Sequence, residues 1–158
     1  METQNETTGQ CPVAPDAANP PMQFTTYLHF KDSCSEAFDF YARVFGGTIE
    51  MKMSFGESPA ADQIGPDAAN LIMHAQLRVG NALLMGSDSP PQCPGNAPMG
   101  GFSVAVFPAM GSEGDRWFDQ LSDGGEVRLP MQQTFWSPRF GMCVDKFGVA
   151  WILNCQAA

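Results

Sequence analysis

Basic residues are scarce in this chain of 158 residues: eight Lys and Arg face 17 Asp and Glu, which gives a formal net charge of −9. Binding to nucleic acid, or to an anionic lipid surface, needs clustered Lys and Arg to neutralise phosphates. The sequence also has no apolar run of the ~18 residues that a membrane-spanning helix requires. We therefore expect neither nucleic acid nor a membrane as a partner.

Paired cysteine motifs are also missing. Five cysteines are scattered along the chain, and no two of them form a C-x-x-C pair. An odd number without paired spacing argues against a disulfide framework and against a zinc knuckle, and it favours reduced thiols in the cytoplasm. The cysteines are Cys11, Cys34, Cys93, Cys143 and Cys155.

The first 21 residues contain neither the basic region nor the apolar region of a signal peptide. They are rich in Gln, Asn, Thr, Pro and Ala, which predicts a disordered tail over residues 1–21. The remaining residues, 22–158, are enough for a single domain with its own core.

A weak internal repeat organises this domain. Residues 24–30 (FTTYLHF) precede residues 102–108 (FSVAVFP) by 78 positions, and residues 40–49 (FYARVFGGTI) precede residues 118–127 (FDQLSDGGEV) by the same offset. An aromatic residue and a Gly-Gly pair coincide in both copies. A shared offset predicts two copies of one structural unit.

Each copy begins with a strand. In the first copy one face is apolar and the other carries polar groups, which is typical of a sheet that packs on one side only. The apolar residues are Phe24, Leu28 and Phe30, and Tyr27 and His29 lie on the opposite face.

A capped helix follows each of these strands. Ser33 and Glu36 form a capping-box pattern, in which both side chains accept hydrogen bonds from free N–H groups at the helix start. Gly46 and Gly47 end the helix because glycine tolerates the left-handed conformation. The equivalent residues of the second helix are Ser112, Asp115, Gly124 and Gly125.

Three further strands follow each helix, with a long loop over residues 56–70. We expect an α+β fold of two tandem βαβββ modules that form a curved, mostly antiparallel sheet around a shared cleft. Module one spans residues 22–89, the linker 90–100 and module two 101–155. The predicted strands cover residues 49–55, 71–79, 82–86, 126–129, 140–144 and 150–155.

The polar sides of the strands suggest a ligand-binding cleft. His74, Gln76 and Arg78 alternate with apolar residues along one strand. Arg139 could fix a carboxylate and His74 could act as a base, so we expect a polar or anionic small molecule; alternatively, the arginines lie on the surface or in an interface. The predicted cleft residues are Tyr27, His29, His74, Gln76, Arg78, Ser103, Phe107, Trp136, Arg139 and Cys143.

Two of these residues have competing interpretations. Trp136, next to Phe135, either stacks on a flat ligand or packs in a core or interface, and we favour packing. Cys143 is either a nucleophile or an inert buried thiol. The second interpretation is favoured because no base or helix N-terminus is adjacent in the sequence. We assign no catalytic residue.

Three segments together resemble a known family. They are EAFDFYARVFGG, MHAQLRVGNALLMGSD and TFWSPRFGMCVDKFGVAWILN. They are similar to the PhnB-like branch of the vicinal-oxygen-chelate superfamily, which includes glyoxalases, bleomycin-resistance proteins and dioxygenases. Members of the branch are often labelled 3-demethylubiquinone-9 3-methyltransferase. The resemblance implies the two-module fold and a cleft, but it does not imply one reaction.

Many relatives in the superfamily bind a divalent metal with one residue from each of four strands. The resemblance places these positions on residues of which only His74 binds metals well, and His29 is a second weak candidate. Two histidines are fewer than the three protein ligands usual at a catalytic metal, so we expect no firm cofactor. The positions are Thr25 or Thr26, His74, Phe102 or Ser103, and Ile152.

These observations favour a PhnB-like small-molecule-binding protein that forms a homodimer, since half-sheets leave exposed edges. A metal-dependent lyase or dioxygenase and a protein that sequesters a bulky cationic antibiotic are the alternatives. The methyltransferase label lacks a visible basis, because no glycine-rich turn follows a strand, as it does in most folds that bind a methyl donor.

Overall fold

The computed structural model describes residues 22–59, 61–90 and 98–158. The predicted tail (1–21) and most of the predicted linker (91–97) lie outside this part of the chain, and so do Cys11 and Cys93. No helix within the described ranges is long and apolar enough to cross a membrane.

The chain forms two βαβββ modules, as the repeat predicts. Each module is a four-stranded sheet with one helix packed against it. Module one consists of β1 (Thr26–Phe30), α1 (Cys34–Phe45), β2 (Thr48–Ser54), β3 (Ile72–Val79) and β4 (Ala82–Asp88). Module two consists of β5 (Val104–Val106), α2 (Gly111–Ser122), β6 (Glu126–Gln132), β7 (Phe140–Val144) and β8 (Ala150–Asn154).

The two sheets have equivalent topology. The strand orders are β1-β4-β3-β2 and β5-β8-β7-β6, with the first pair of each sheet parallel and the other pairs antiparallel. Gly46 and Gly124 follow the two helices, 78 positions apart, and both have a positive φ, of 67° and 73°. The repeat therefore extends to the backbone conformation that ends each helix.

The start of α1 differs from the prediction. Ser33 makes no side-chain capping bond. Instead, Asp88 at the end of β4 accepts a hydrogen bond from the Cys34 N–H at 2.9 Å. A capping box does form elsewhere, where Glu57 accepts hydrogen bonds from the N–H and the hydroxyl of Ser54 in the loop after β2. The local pattern at Ser33 is thus replaced by a carboxylate from a distant strand.

The helix-covered sides of the two modules share one hydrophobic core. Phe45 of α1 lies 5.1 Å from Trp117 of α2 and 5.3 Å from Trp151 of β8, measured between ring centroids. Phe24, predicted to be apolar and inward-facing, is instead 95% exposed. The opposite face of each sheet lies outside this core.

Candidate functional site

The outer face of the module-one sheet carries a set of polar and aromatic side chains. Tyr27 pairs with Met85 and His29 with Ser87 across β1 and β4, while His74 pairs with Met53 across β3 and β2. Residues paired in this way lie on the same face of a sheet. We call this surface the polar face; it comprises Tyr27, His29, Glu50, Met51, Met53, His74, Gln76, Arg78, Met85 and Ser87.

Tyr27 lies at the centre of a cluster of rings on the polar face. Its hydroxyl oxygen shares a hydrogen bond of 3.1 Å with Nδ1 of His74. The centroid of its ring lies 5.1 Å from the His29 ring and 5.7 Å from the His74 ring. Ser87 shares a longer hydrogen bond, of 3.5 Å, with Nδ1 of His29. The structure therefore brings together the two predicted histidines around Tyr27.

Glu50 is bonded to Arg78 and Gln76 at the other end of the polar face. Its carboxylate accepts hydrogen bonds from Nε of Arg78 at 2.5 Å, from Nη2 of Arg78 at 3.1 Å and from Nε2 of Gln76 at 2.6 Å. The bonds from Arg78 and Gln76 lower the pKa of Glu50, and the bond to Glu50 raises the pKa of Arg78. Both groups are consequently charged at neutral pH, and their charges cancel.

The predicted residues of module two do not join this cluster. Nε of Arg139 donates to Asp115 of α2 at 2.8 Å, so Arg139 lies on the helix side of its sheet. Cys143 is fully buried in the core, where burial and the charge of Asp145 raise its pKa to about 12. The predicted cleft positions of these two residues are therefore wrong. The inert-thiol interpretation of Cys143 fits its burial.

The remaining predicted residues lie on or near the outer side of module two. Ser103 is half-buried and directly precedes β5, and Phe107 is exposed just after it. Trp136 is 55% exposed in the loop between β6 and β7, with its ring centroid 5.4 Å from that of Phe140. Within the single chain, these residues are not part of the ring cluster around Tyr27.

A groove of about 690 Å³ lies between the two modules. Apart from Phe107, it contains none of the predicted cleft residues. Its lining is mainly apolar and includes Phe45, Leu84, Trp117 and Trp151. The shared groove and the polar face are thus different surfaces.

The donor set of the polar face does not fit a divalent metal. Within residues 22–59, 61–90 and 98–158, no three His, Cys, Asp or Glu side chains are grouped as metal ligands. Nδ1 of His74 is bonded to Tyr27, and the carboxylate of Glu50, at the other end of the polar face, is bonded to Arg78 and Gln76. A catalytic metal usually needs three protein ligands.

Sequence reasoning missed Glu50 and Ser87. Glu50 lies at an irregularity in β2, where the register moves from the pair Ile49–Leu77 to the pair Met51–Gln76. A bulge of this kind is not visible in a period-two pattern. Ser87 could have been found, because its position two residues after Met85 keeps it on the same face as Met85.

Two βαβββ modules of this topology define the two-module glyoxalase and FosX class. The fold matches that of FosX from Listeria monocytogenes, a fosfomycin resistance protein crystallised with Mn(II), with a TM-score of 0.56 and 11% identity over 82% of this chain and 88% of FosX. This likeness concerns the fold alone.

The sequence identifies the family within that class. Residues 22–154 match the 3-demethylubiquinone-9 3-methyltransferase family, and the chain belongs to this PhnB-like family. Protein YjdN of Escherichia coli is 37% identical over 143 residues, which cover 84% of this chain and 95% of YjdN.

Two solved structures support the same assignment. Protein PA1353 from Pseudomonas aeruginosa is 40% identical, with a TM-score of 0.81 over 87% of this chain and all of that one. A Bacillus cereus protein described as a putative 3-demethylubiquinone-9 3-methyltransferase, PhnB protein, is 27% identical, with a TM-score of 0.69 over 85% of this chain and 99% of that one.

Proposed function

We propose that this PhnB-like protein binds a small molecule on the polar face, with Tyr27 and His74 as its main hydrogen-bonding groups. The observation that carries the proposal is the Tyr27–His74 hydrogen bond, which lies on the sheet face turned away from the core. Aromatic and imidazole rings combine apolar area with a polar atom, and small-molecule sites use both.

The environment of the pair supports this assignment. Tyr27 is 39% exposed, so its ring is accessible, while Ser87 at the base of the face is buried. Met85 pairs with Tyr27 and Met53 with His74, and Met51 lies opposite Gln76 on the same face; their flexible side chains can adapt to the shape of a ligand. The polar face thus offers adaptable apolar contacts around a few fixed polar atoms.

An aromatic alcohol serves as a probe for this site. We expect 2-naphthol, titrated into isotopically labelled full-length protein, to shift backbone amide resonances of β1, β3 and β4. Tyr27→Phe and His74→Leu should each weaken binding about fivefold or more, since each removes a hydrogen-bonding group. Arg139→Gln is the control, because Arg139 pairs with Asp115 on the other side of the sheet of module two.

Two outcomes of the same titration would contradict the proposed site. Shifts centred on Phe45, Trp117 and Trp151 would move the binding site to the groove between the modules. Equal affinities for the wild type, Tyr27→Phe and His74→Leu would remove both residues from the site.

Methyl transfer is not part of the proposal. The family description names this reaction, but β1 is followed by Lys31, Asp32 and Ser33 rather than by a glycine-rich turn. Most methyl donors are bound after the first strand of a parallel sheet, whereas each sheet here has a single parallel pair among the described strands.

We further propose that the protein is a homodimer in which a second copy covers the outer face of module two. This face is apolar: Phe140, Met142 and Ile152 are half-buried on it, and Phe135 beside it is 97% exposed. Exposed aromatic groups of this extent commonly mark interfaces. Sedimentation of the wild type should show a dimer. The double variant Phe135→Ser with Trp136→Ser should dissociate more readily than the wild type, whereas the control Phe24→Ser should not. A monomeric wild type would contradict the proposal.

We propose a cytoplasmic location because of the state of the cysteines. Cys34, Cys143 and Cys155 are buried and unpaired, and burial raises the pKa of each thiol. Protonated, enclosed thiols are compatible with a reducing compartment. Fractionation of the producing cell would test this location.

A further inference from the structure

The charged groups of the polar face are already paired with each other. The four strands of module one contain four charged residues besides the histidines: Glu50, Lys52, Arg78 and Asp88. Lys52 bonds to Asp39 of α1, and Asp88 is buried and bonded to backbone N–H groups. Only Glu50 and Arg78 therefore remain on the polar face, and they bond to each other.

The pairing uses one of the two edges by which the guanidinium of Arg78 can bind a carboxylate. Two of its N–H groups donate to the two oxygens of Glu50, in the forked arrangement by which arginine binds carboxylates. Gln76 donates to the same carboxylate and holds it in place. Glu50 thus occupies the Nε–Nη2 edge at which a ligand carboxylate could bind Arg78, and its negative charge offsets the charge of the guanidinium.

The rest of the polar face has no carboxylate, Lys or Arg side chain from the four strands. It consists of the ring cluster of Tyr27, His29 and His74, together with the thioethers of the flanking methionines. Ring faces and sulfur atoms bind flat apolar groups by stacking and dispersion. The Tyr27–His74 pair can then bond to one oxygen or nitrogen atom of the ligand.

We infer that Glu50 is a specificity residue: it masks Arg78, so that the polar face accepts uncharged, ring-bearing molecules and disfavours anions. This inference rests on the proposed function of the polar face. It also reverses the expectation of an anionic ligand fixed by an arginine. Since the pKa of Glu50 is lowered by Arg78 and Gln76, the masking charge persists at neutral pH.

Two probes that differ in charge test the inference on full-length protein. The probes are 2-naphthol, uncharged at neutral pH, and 2-naphthoate, an anion of similar shape. We expect the wild type to bind the naphthol more tightly, by fluorescence titration at low salt. Glu50→Gln should raise the affinity for naphthoate relative to naphthol about threefold or more, because Arg78 is then unmasked.

Two further variants serve as controls, one for the change of net charge and one for the role of Arg78. Glu126→Gln makes the same change of net charge beside Arg128 in module two and should leave the ratio of affinities unchanged. The double variant Glu50→Gln with Arg78→Gln should lose the gain in naphthoate binding. Thermal unfolding confirms that each variant is folded, and the wild-type ratio is a readout that needs no variant.

The outcomes separate the two proposals. If the wild type binds naphthoate at least as tightly as naphthol, or if Glu50→Gln leaves the ratio unchanged, the inference about Glu50 is overturned while the polar face can still be a binding site. If neither probe binds the polar face, the proposed function fails, and the inference fails with it.

Discussion

The hydroxyl of Tyr41 donates a hydrogen bond of 2.7 Å to Oδ2 of Asp145 and so connects α1 of module one to the turn between β7 and β8 of module two. Asp145 is only 3% exposed. It also accepts hydrogen bonds from Nε1 of Trp151 and from the backbone N–H groups of Phe147 and Val149. Four donors thus compensate for the burial of one carboxylate.

Substitution of Tyr41 and substitution of Asp145 should both destabilise the protein, but by different amounts. Tyr41→Phe removes one donor and leaves the carboxylate with three, so we expect a loss of about 1 to 2 kcal/mol. Asp145→Ala leaves several buried donors without an acceptor and should cost about 3 kcal/mol or more. Urea unfolding measures both changes. Equal losses would contradict the view that Asp145 serves donors from both modules.

Tyr41 also makes the stability of the protein depend on pH in the alkaline range. Burial, followed by the charge of Asp145, raises the pKa of Tyr41. A tyrosine whose pKa is higher in the folded state stabilises the fold fully below its unfolded pKa of about 10, and this contribution is lost as the pH rises above that value. The advantage of the wild type over Tyr41→Phe should therefore shrink by about 1 kcal/mol between pH 8 and about pH 11.

The comparison between the two proteins isolates this residue. The buried thiols titrate in both proteins, so their contributions cancel in the difference. A stability difference that stays constant over this pH range would show that the Tyr41 hydroxyl is not protected as the structure indicates.

Much of the fold could be predicted from local sequence, because the signals are periodic. The strand over residues 140–144 has the predicted bounds, and the left-handed glycines Gly46 and Gly124 keep the offset of the repeat. The period-two pattern in β7 correctly places Cys143 on the opposite face of the sheet from Met142 and Val144. It could not tell which face is the core, because Phe140 and Met142 make the outer face of module two apolar as well.

The failures have long-range causes. Arg139 lies on the helix side because Asp115, 24 positions away in the sequence, binds its guanidinium. The ring cluster around Tyr27 could be foreseen only in part: strand parity places His29 and Tyr27 on one face, but the pairing of β1 with β4 brings Ser87 beside them. Pairing between distant strands is not encoded in a local pattern.

Gly86 is predicted to be essential for the packing of α1 on its sheet. A Cβ atom at Gly86 would lie 2.8 Å from Cε2 of Phe38 and 2.9 Å from the carbonyl oxygen of Leu28. Since these neighbours are fixed in the core, Gly86→Ala should destabilise the fold by about 1 to 3 kcal/mol. Gly100→Ala is the matched control, because a Cβ there meets nothing within 4 Å. A neutral Gly86→Ala in thermal unfolding would mean that α1 can move away from β4.

Asp88, rather than Ser33, is expected to cap α1. Asp88 is 4% exposed; one oxygen accepts from the N–H of Cys34 at 2.9 Å and the other from the N–H of Ile72 at 2.7 Å. Asp88→Ala leaves both N–H groups buried without an acceptor and should cost about 2 to 4 kcal/mol, whereas Ser33→Ala should cost less than about 0.5 kcal/mol. Denaturant unfolding of the two variants side by side distinguishes them. Because the carboxylate also joins β4 to β3, hydrogen exchange in Asp88→Ala should accelerate both at the start of α1 and at the start of β3. A large loss in Ser33→Ala with little effect in Asp88→Ala would restore the local capping box as the cause of the helix start.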